Sequence, residues 1–223
     1  KTQPLEVYQS QRRGGVGKTA ASVKEEDFVE QLIVANTHDT LLCFSNLGKV
    51  YWLKVYEIPQ ASRIAKGRPL VNLIQLDTEE RITSLLNIES FDAAGFVFMA
   101  TVKGVVKKTP LEDFRLPRKN GKRAIKLDAK DELVGTKITD GKQHIMLISD
   151  AGKAVYFDEK DSRPLGRDTR GVKGIDLSEE QKVISLMVPS LEDEILTVSE
   201  NGYGKKSKIA DFRKTKRGAK GVI

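Results

Sequence analysis

The sequence repeats one pattern, two short strand-like runs on either side of a glycine turn. The turns recur about every 50 residues, and their glycines are Gly48, Gly104, Gly152 and Gly202. The flanking runs are rich in Val, Ile, Leu and Phe, which favours strands. Glycine supplies the positive φ that a tight reversal requires. A chain of this kind is predicted to fold as a series of similar β-hairpins.

Strand-like runs occur throughout the chain, whereas helical patterns do not. No apolar stretch at helical spacing extends beyond two turns, so we predict an all-β protein. The clearest predicted strands are LIVAN (32–36), TLLCF (40–44), KVYWL (49–53), FVFMA (96–100), HIMLIS (144–149), KAVYF (153–157) and EILTV (194–198).

Each hairpin is followed by the same succession of features. A Pro/acid/aromatic phrase comes first (57–59, 110–114 and 209–212), and PLEVY (4–8) matches it. A Gly/Lys/Arg segment, here called the basic segment, begins near Gln11, Ser62, Arg118, Arg167 and Arg213. An acidic turn (24–27, 77–80, 128–132 and 176–180) and a last strand complete the unit. Four strands in about 50 residues make a β-propeller blade. A seven-stranded sandwich is the alternative, but it leaves the spacing unexplained.

The link between each hairpin and its basic segment is longer than a simple meander needs. Residues 108–124 and 157–172 are two such links. We therefore expect the link to cross between neighbouring sheets, so that adjacent blades exchange a strand. A structure in which every sheet is built from one contiguous segment would refute this expectation.

Positive charge is concentrated in the basic segments. The chain has 38 Lys and Arg against 31 Asp and Glu, a net charge of +7. In a disc of radial blades, equivalent positions lie on one circle, so these cations would form a belt that suits a phosphate backbone. Aromatic residues are only 6%, which favours duplex over single-stranded nucleic acid. The candidate cations are Arg12, Arg13, Lys18, Arg63, Lys66, Arg68, Lys107, Lys108, Arg118, Lys119, Lys122, Arg123, Arg167, Arg170, Lys173, Lys205, Lys206, Lys208, Arg213, Lys214, Lys216, Arg217 and Lys220.

Several other function classes are disfavoured. Cys43 is the only cysteine, and it is accompanied by two histidines, so neither an intrachain disulfide nor a Cys/His zinc site is expected. No apolar run approaches the roughly 20 residues that span a bilayer. RGGVGKT (13–19) resembles a phosphate-binding P-loop, but Arg12 stands where the first glycine belongs, and no strand–helix context surrounds it. No triad, metal cluster or paired-carboxylate site is expected either.

The heptad QRRGGVG (11–17) resembles the box, usually Q-R-R-G-G-K-G, that marks the C-terminal domain of the DNA gyrase A subunit, part of a type IIA topoisomerase. Six of seven positions match, and Val16 replaces the lysine. The resemblance continues through LIVANTHDTLLCFSNLGKVYWLKVYEIP, GRPLVNLI, FVFMATVKGVVKKT and ILTVSENGYGKK, and so covers essentially the whole chain. The role of the box in wrapping DNA is thereby implied for Gln11, Arg12, Arg13, Gly14, Gly15 and Gly17, and Lys18 could substitute for the missing lysine.

The resemblance implies a β-pinwheel, with four-stranded blades that exchange their outer strands. Residues 1–223 would form a single domain that begins within blade one and ends in blade five of six. Duplex DNA would wrap around its basic rim with positive handedness and present a segment for strand passage. The implied partners are the cleavage domain of the same polypeptide and the gyrase B subunit in an A2B2 holoenzyme, in the bacterial cytoplasm at the nucleoid and not at a membrane. This chain would have no catalytic residue and no cofactor, since ATP and Mg²⁺ act on other domains.

Two alternatives stay open at this point. The chain could be the corresponding domain of the topoisomerase IV A subunit, whose blades are similar and whose box is degenerate. It could instead be a propeller scaffold that binds an acidic protein partner.

Overall fold

The computed structural model describes residues 1–7, 29 and 31–222. The described residues form short strands joined by turns and single 3₁₀ turns, as the all-β prediction expects. The strands are β1 (Thr40–Ser45), β2 (Lys49–Lys54), β3 (Ile82–Ile88), β4 (Phe96–Thr101), β5 (Val105–Pro110), β6 (Lys122–Arg123), β7 (Leu133–Thr139), β8 (His144–Ser149), β9 (Ala154–Asp158), β10 (Val172–Lys173), β11 (Val183–Met187), β12 (Glu194–Val198) and β13 (Gly204–Lys208).

The hairpin turns lie where the glycine pattern places them. Gly48, Gly104, Gly152 and Gly202 all have φ between 72° and 80°, which is costly for a residue with a Cβ. Each connects an antiparallel pair in regular register, for example Leu42 opposite Trp52 in β1 and β2.

The sheets exchange strands between repeats, as the long links predict. Sheet 1 has the order β3-β1-β2-β6, and sheet 2 has the order β10-β5-β4-β7. The other strands of each sheet belong to one repeat, whereas β6 and β10 belong to the next repeat in the sequence. Sheet 3 (β11-β8-β9) receives a single bridge, from Val222 to Ala154, at the same edge. Sheet 4 is the hairpin β12-β13.

The order of strands within a sheet defines an inner and an outer edge. Strands β3, β7 and β11 contact one another across neighbouring sheets, and the Ser84 and Thr136 hydroxyls are 2.8 Å apart there. They therefore form the inside of the arrangement. The exchanged strands β6 and β10 lie at the opposite edges, about 14 Å away at the usual strand spacing. These outer edges are called the rim below.

Apolar clusters between consecutive sheets hold the blades together. Leu42 and Phe44 of sheet 1 pack with Val97 and Met99 of sheet 2, and all four side chains are completely buried. A second cluster joins Phe98 and Val106 of sheet 2 to Leu147 and Val155 of sheet 3. Sheet 2 is thus apolar on both faces, and burying a side chain of this size contributes about 1.5–3 kcal/mol.

One predicted strand is absent, because LIVAN (32–36) has no regular secondary structure. In the other repeats, the corresponding strand pairs with the hairpin that precedes the Pro/acid/aromatic phrase. The prediction was wrong because strand propensity alone supplies no ladder of hydrogen bonds. Leu32 and Val34 are accordingly exposed.

No helix among the described residues is long and apolar enough to cross a membrane.

Candidate nucleic-acid interface

The basic segments lie on the rim because they provide the exchanged strands. Lys122 and Arg123 pair with Val50 and Lys49 at the edge of sheet 1. Val172 and Lys173 pair with Val106 and Val105 at the edge of sheet 2. Val222 occupies the equivalent place beside Ala154 of sheet 3. Segments that are about 50 residues apart in sequence thereby follow one another along a single edge of the structure.

Most of the candidate cations in the described range face solvent. Arg63, Lys122, Arg167 and Arg217 are half-buried. The exposed ones are Lys66, Arg68, Arg118, Lys119, Arg123, Arg170, Lys173, Lys205, Lys206, Lys208, Arg213, Lys214, Lys216 and Lys220.

Carboxylates neutralise a minority of these cations. Arg123 pairs with Asp168 of the next basic segment at 2.9 Å, and Arg170 pairs with Asp128, in the acidic turn of the preceding repeat, at 3.1 Å. Lys173 pairs with Asp176 at 2.8 Å, and Lys206 pairs with Glu194. The Lys173 hydrogen bond and charge lower the pKa of Asp176. These pairs are solvent-exposed and therefore weak, so a phosphate can compete for the cation.

The cations of adjacent segments converge where no carboxylate pairs with them. Burial lowers the pKa of the Lys122 ammonium, and the charges of Arg167 and Arg118 lower it further. Lys122 Nζ donates to the Leu116 carbonyl at 2.5 Å and lies 5.7 Å from the centre of the Trp52 ring. In the described part of the chain none of the three cations pairs with a carboxylate. A phosphate placed here would relieve their mutual repulsion.

Backbone hydrogen bonds fix the spacing between successive basic segments. The Lys126 amide donates to the Thr169 carbonyl at 3.0 Å, and the Asp176 amide donates to the Ala219 carbonyl at 2.9 Å. The same contact therefore recurs at consecutive blade boundaries, and consecutive segments are presented in equivalent positions.

Two candidate residues do not belong to this surface. Lys107 is completely buried and Lys108 is 4% exposed. Lys107 Nζ donates to three backbone carbonyls, and Lys108 Nζ donates to the Glu159 carbonyl at 3.1 Å. Their prediction as phosphate contacts was wrong, because the following repeat covers both side chains.

Other features of the rim were missed. Lys126 and Arg163 are exposed cations close in sequence to predicted cations. Aligning the repeats with one another would have included them. The paired acids Asp128 and Asp168 were also missed, although Asp168 is visible within the segment RDTR. Gln11, Arg12, Arg13, Gly14, Gly15, Gly17 and Lys18 lie outside the described residues.

Over the described residues, no group of three or more His, Cys, Asp or Glu side chains could hold a metal ion. Cys43 is buried, and burial raises the pKa of its thiol to about 12, so the thiol is unreactive at neutral pH.

Comparison with known proteins identifies consistent relatives. A family model described as "DNA gyrase C-terminal domain, beta-propeller" matches residues 1–36, 39–89, 95–140, 143–190 and 193–223. The DNA gyrase A subunit of Escherichia coli K12 is 52% identical over all 223 residues, which span only 26% of that relative's length.

Two solved structures are also similar. The C-terminal domain of a DNA topoisomerase IV has a TM-score of 0.78 and 31% identity, over 84% of this chain and 58% of that one. A DNA gyrase A C-terminal domain has a TM-score of 0.73 and 26% identity, over 98% of this chain and 71% of that one.

Proposed function

The chain belongs to the DNA gyrase C-terminal domain family, and we propose that it binds duplex DNA along its basic rim and wraps it. Residues 1–223 act in this proposal as one non-catalytic unit to which successive repeats contribute phosphate contacts. The track consists of the exposed and half-buried rim cations described above. It extends to Gln11, Arg12, Arg13, Gly14, Gly15, Gly17 and Lys18 of the heptad by resemblance.

One observation carries the proposal: the strands exchanged between sheets are the segments that hold the cations. Strand exchange places the basic segments that contain β6 and β10 at the outermost edge of the preceding sheet, and Val222 bridges to Ala154 at the corresponding edge of sheet 3. The cations therefore recur at equivalent radial positions, and a curved duplex can contact one segment after another. Base reading is unnecessary, because backbone contacts and DNA deformability suffice for wrapping.

The wider role is that of the longer gyrase A subunits that resemble this chain, which spans about a quarter of their length. In this proposal the wrap has positive handedness and presents a second DNA segment to the cleavage domain of the same polypeptide. Strand passage then introduces negative supercoils, driven by ATP hydrolysis on the B subunits of an A2B2 assembly in the bacterial cytoplasm. The 52% identity to a gyrase relative, together with the six matching box positions, favours this assignment over topoisomerase IV.

The competing proposal, a scaffold for an acidic protein, makes a different prediction about salt and length. Binding should be measured for a short and a long duplex across a salt series. Since each neutralised phosphate contributes about −0.9 to the slope of log K against log salt, we expect a slope of about −5 or steeper for the long duplex. The long duplex should also bind much more tightly, because bending must be offset by extended contact. Equal affinity for a 12-base-pair duplex, about one helical turn, would contradict wrapping.

A further inference from the structure

The buried amino group of Lys107 organises the rim loop of the next repeat. Lys107 Nζ donates to the carbonyl of Ala124 at 2.9 Å, to that of Thr169 at 3.2 Å and to that of Arg167. Ala124 follows the exchanged strand β6, while Arg167 and Thr169 belong to the loop 166–170 that precedes β10. An ammonium has three donors, and all three are used here.

Lys1 makes two equivalent contacts with the loop 62–66, and a third contact that Lys107 does not make. Its Nζ donates to the carbonyls of Ser62, Arg63 and Ala65 at 3.0, 2.9 and 2.6 Å. Parallel bridges establish the correspondence, because Thr2 pairs with Gln60 as Lys108 pairs with Pro164. Arg63 thus corresponds to Arg167, and Ala65 corresponds to Thr169. Two of the three acceptors are therefore equivalent at these two separate places on the rim.

An inward carbonyl turns the next amide outward. In a planar trans peptide the C=O of one residue and the N–H of the next point in opposite directions. The N–H groups of Asp168 and Arg170 therefore point away from Lys107, and those of Ile64 and Lys66 point away from Lys1. None of these four amides has a hydrogen-bond acceptor among the described residues.

The third repeat provides an internal comparison, because Val155 occupies the position of Lys107. Its loop, 216–220, has the opposite peptide orientation at one bond. The Gly218 amide points inward and donates to the Gly174 carbonyl at 2.7 Å. Gly218 is equivalent to Asp168, and Gly174 is equivalent to Ala124, the acceptor of Lys107. Where lysine supplies the donor the amide points outward, and where valine stands the amide itself is the donor. Gly218 has a φ of 80° in that arrangement, which a residue with a Cβ rarely adopts.

We propose that Lys107 and Lys1 hold the loops 166–170 and 62–66 so that the backbone N–H groups of Asp168 and Ile64 face the DNA track as donors to phosphate oxygens. This inference rests on the proposed function, since it assigns the way in which two rim loops contact the duplex. The ligand is a phosphodiester. The loop 166–170 offers a second amide, that of Arg170. The loop 62–66 likewise offers that of Lys66.

The surroundings of these amides suit an anion. Arg167 and Arg170 flank the Asp168 amide, and the Asp168 carboxylate is paired with Arg123 at 2.9 Å. Amides fixed by a buried lysine lose little conformational entropy when they bind, unlike the long side chains around them. Lys107 and Lys1 are positioning residues, because their amino groups contact carbonyls and not the phosphate.

The test follows the backbone amides of the full chain by ¹⁵N NMR and hydrogen exchange, with a duplex of about 30 base pairs as the probe. In the wild type we expect the Asp168 amide to exchange rapidly without DNA and to shift and become protected with the duplex. The Gly218 amide should be protected in both states. A wild-type Asp168 amide that does not respond to bound duplex would overturn the inference. A failure to bind duplex at all would instead overturn the proposed function.

The matched variant is Lys107→Val, which copies the residue found at position 155. Without the ammonium the loop 166–170 should lose its fixed conformation, so the Asp168 amide should no longer become protected when the duplex binds. The affinity for duplex DNA should fall about tenfold, which is the effect of losing one hydrogen bond to a charged group. The slope of log K against log salt should change less than it does in Arg170→Ala, because no rim cation is removed. Unchanged affinity and unchanged exchange of the Asp168 amide in a folded variant would also contradict the inference.

Discussion

The guanidinium of Arg167 donates from Nη1 to the backbone carbonyl of Arg123 at 3.0 Å, across the boundary between two repeats. Arg217 makes the equivalent bond to the Lys173 carbonyl at 2.5 Å. An arginine at this position therefore joins two consecutive basic segments, while its charge remains on the rim. We therefore expect stability and DNA affinity to be coupled at these residues.

Replacing Arg167 by alanine should affect both properties. We expect the free energy of unfolding to fall by about 1–2 kcal/mol, because a charge-assisted hydrogen bond is lost, and the salt slope to decrease by about 1. The matched control is Arg118→Ala, since the exposed Arg118 side chain makes no hydrogen bond or ion pair within the described residues. It should reduce the slope equally without destabilising the fold. Urea unfolding and salt titration distinguish the two, and equal destabilisation would refute the interpretation.

The buried pair of Lys108 and Glu159 should dominate the stability of the boundary between sheets 2 and 3. Glu159 is completely buried and accepts hydrogen bonds from the Gly141 and Gln143 amides at 3.1 and 3.2 Å. Its carboxylate lies 3.8 Å from Lys108 Nζ. Glu159→Gln places an amide NH₂ group opposite backbone N–H donors, and it leaves the buried charge of Lys108 without a counter-charge. We therefore expect the free energy of unfolding, measured in urea, to fall by about 3–5 kcal/mol. The exposed Glu112→Gln should change stability by less than about 0.5 kcal/mol, and a similar effect of both variants would contradict this account.

The pH dependence of stability should reveal Lys107. Burial lowers the pKa of its ammonium from 10.5 to about 8, an effect that Asp168 opposes and Arg167 reinforces. Below pH 8 the amine is protonated in both folded and unfolded chains. Between pH 8 and 10 the unfolded chain binds more protons, so the free energy of unfolding should rise with pH, by up to about 1.4 kcal/mol per unit. The difference between wild type and Lys107→Val in urea unfolding isolates this contribution, and a difference that does not vary with pH would disprove it.

The heptad should matter more for wrapping than for binding. Changing Arg12 and Arg13 to alanine removes two cations, while the other rim segments still attract phosphate. We expect the linking-number shift in a nicked-circle ligation assay to fall much more than the affinity does. Lys205→Ala with Lys206→Ala is the control of equal charge, and it should preserve more of the shift. An unchanged shift in the heptad variant would show that Arg12 and Arg13 do not have this role.

The hairpins and the strand exchange could be predicted from sequence because their signals are local and repeated. Turn glycines fix the reversals, and a link too long for a meander indicates a crossing. The failures required knowledge of the neighbouring repeat. LIVAN has strand propensity, but propensity does not supply the ladder of hydrogen bonds that makes a strand. Lys107 and Lys108 resemble surface charge in the sequence, and only the following repeat's carbonyls and Glu159 explain their burial.

The composition of the rim was predicted better than its electrostatics. Counting lysines and arginines located the exposed cations, since long charged side chains avoid burial. The pairs Arg123–Asp168 and Arg170–Asp128 cross between repeats, so spacing within one repeat could not reveal them. The Arg167 carbonyl accepts a hydrogen bond from Lys107 Nζ, which is 60 residues away in sequence, so this contact could not be predicted from spacing within one repeat either.

The most direct test of the central claim is the ligation of nicked circular DNA in the presence of increasing amounts of the wild-type chain. If cations from successive repeats guide one continuous curved path, the linking number of the closed circles should shift in the positive direction in proportion to bound protein. The contradicting result would be an unchanged linking-number distribution, equal to that of free DNA, when the circles are closed at full occupancy. The duplex would then bind the rim without wrapping around it, and the wrapping account would be wrong.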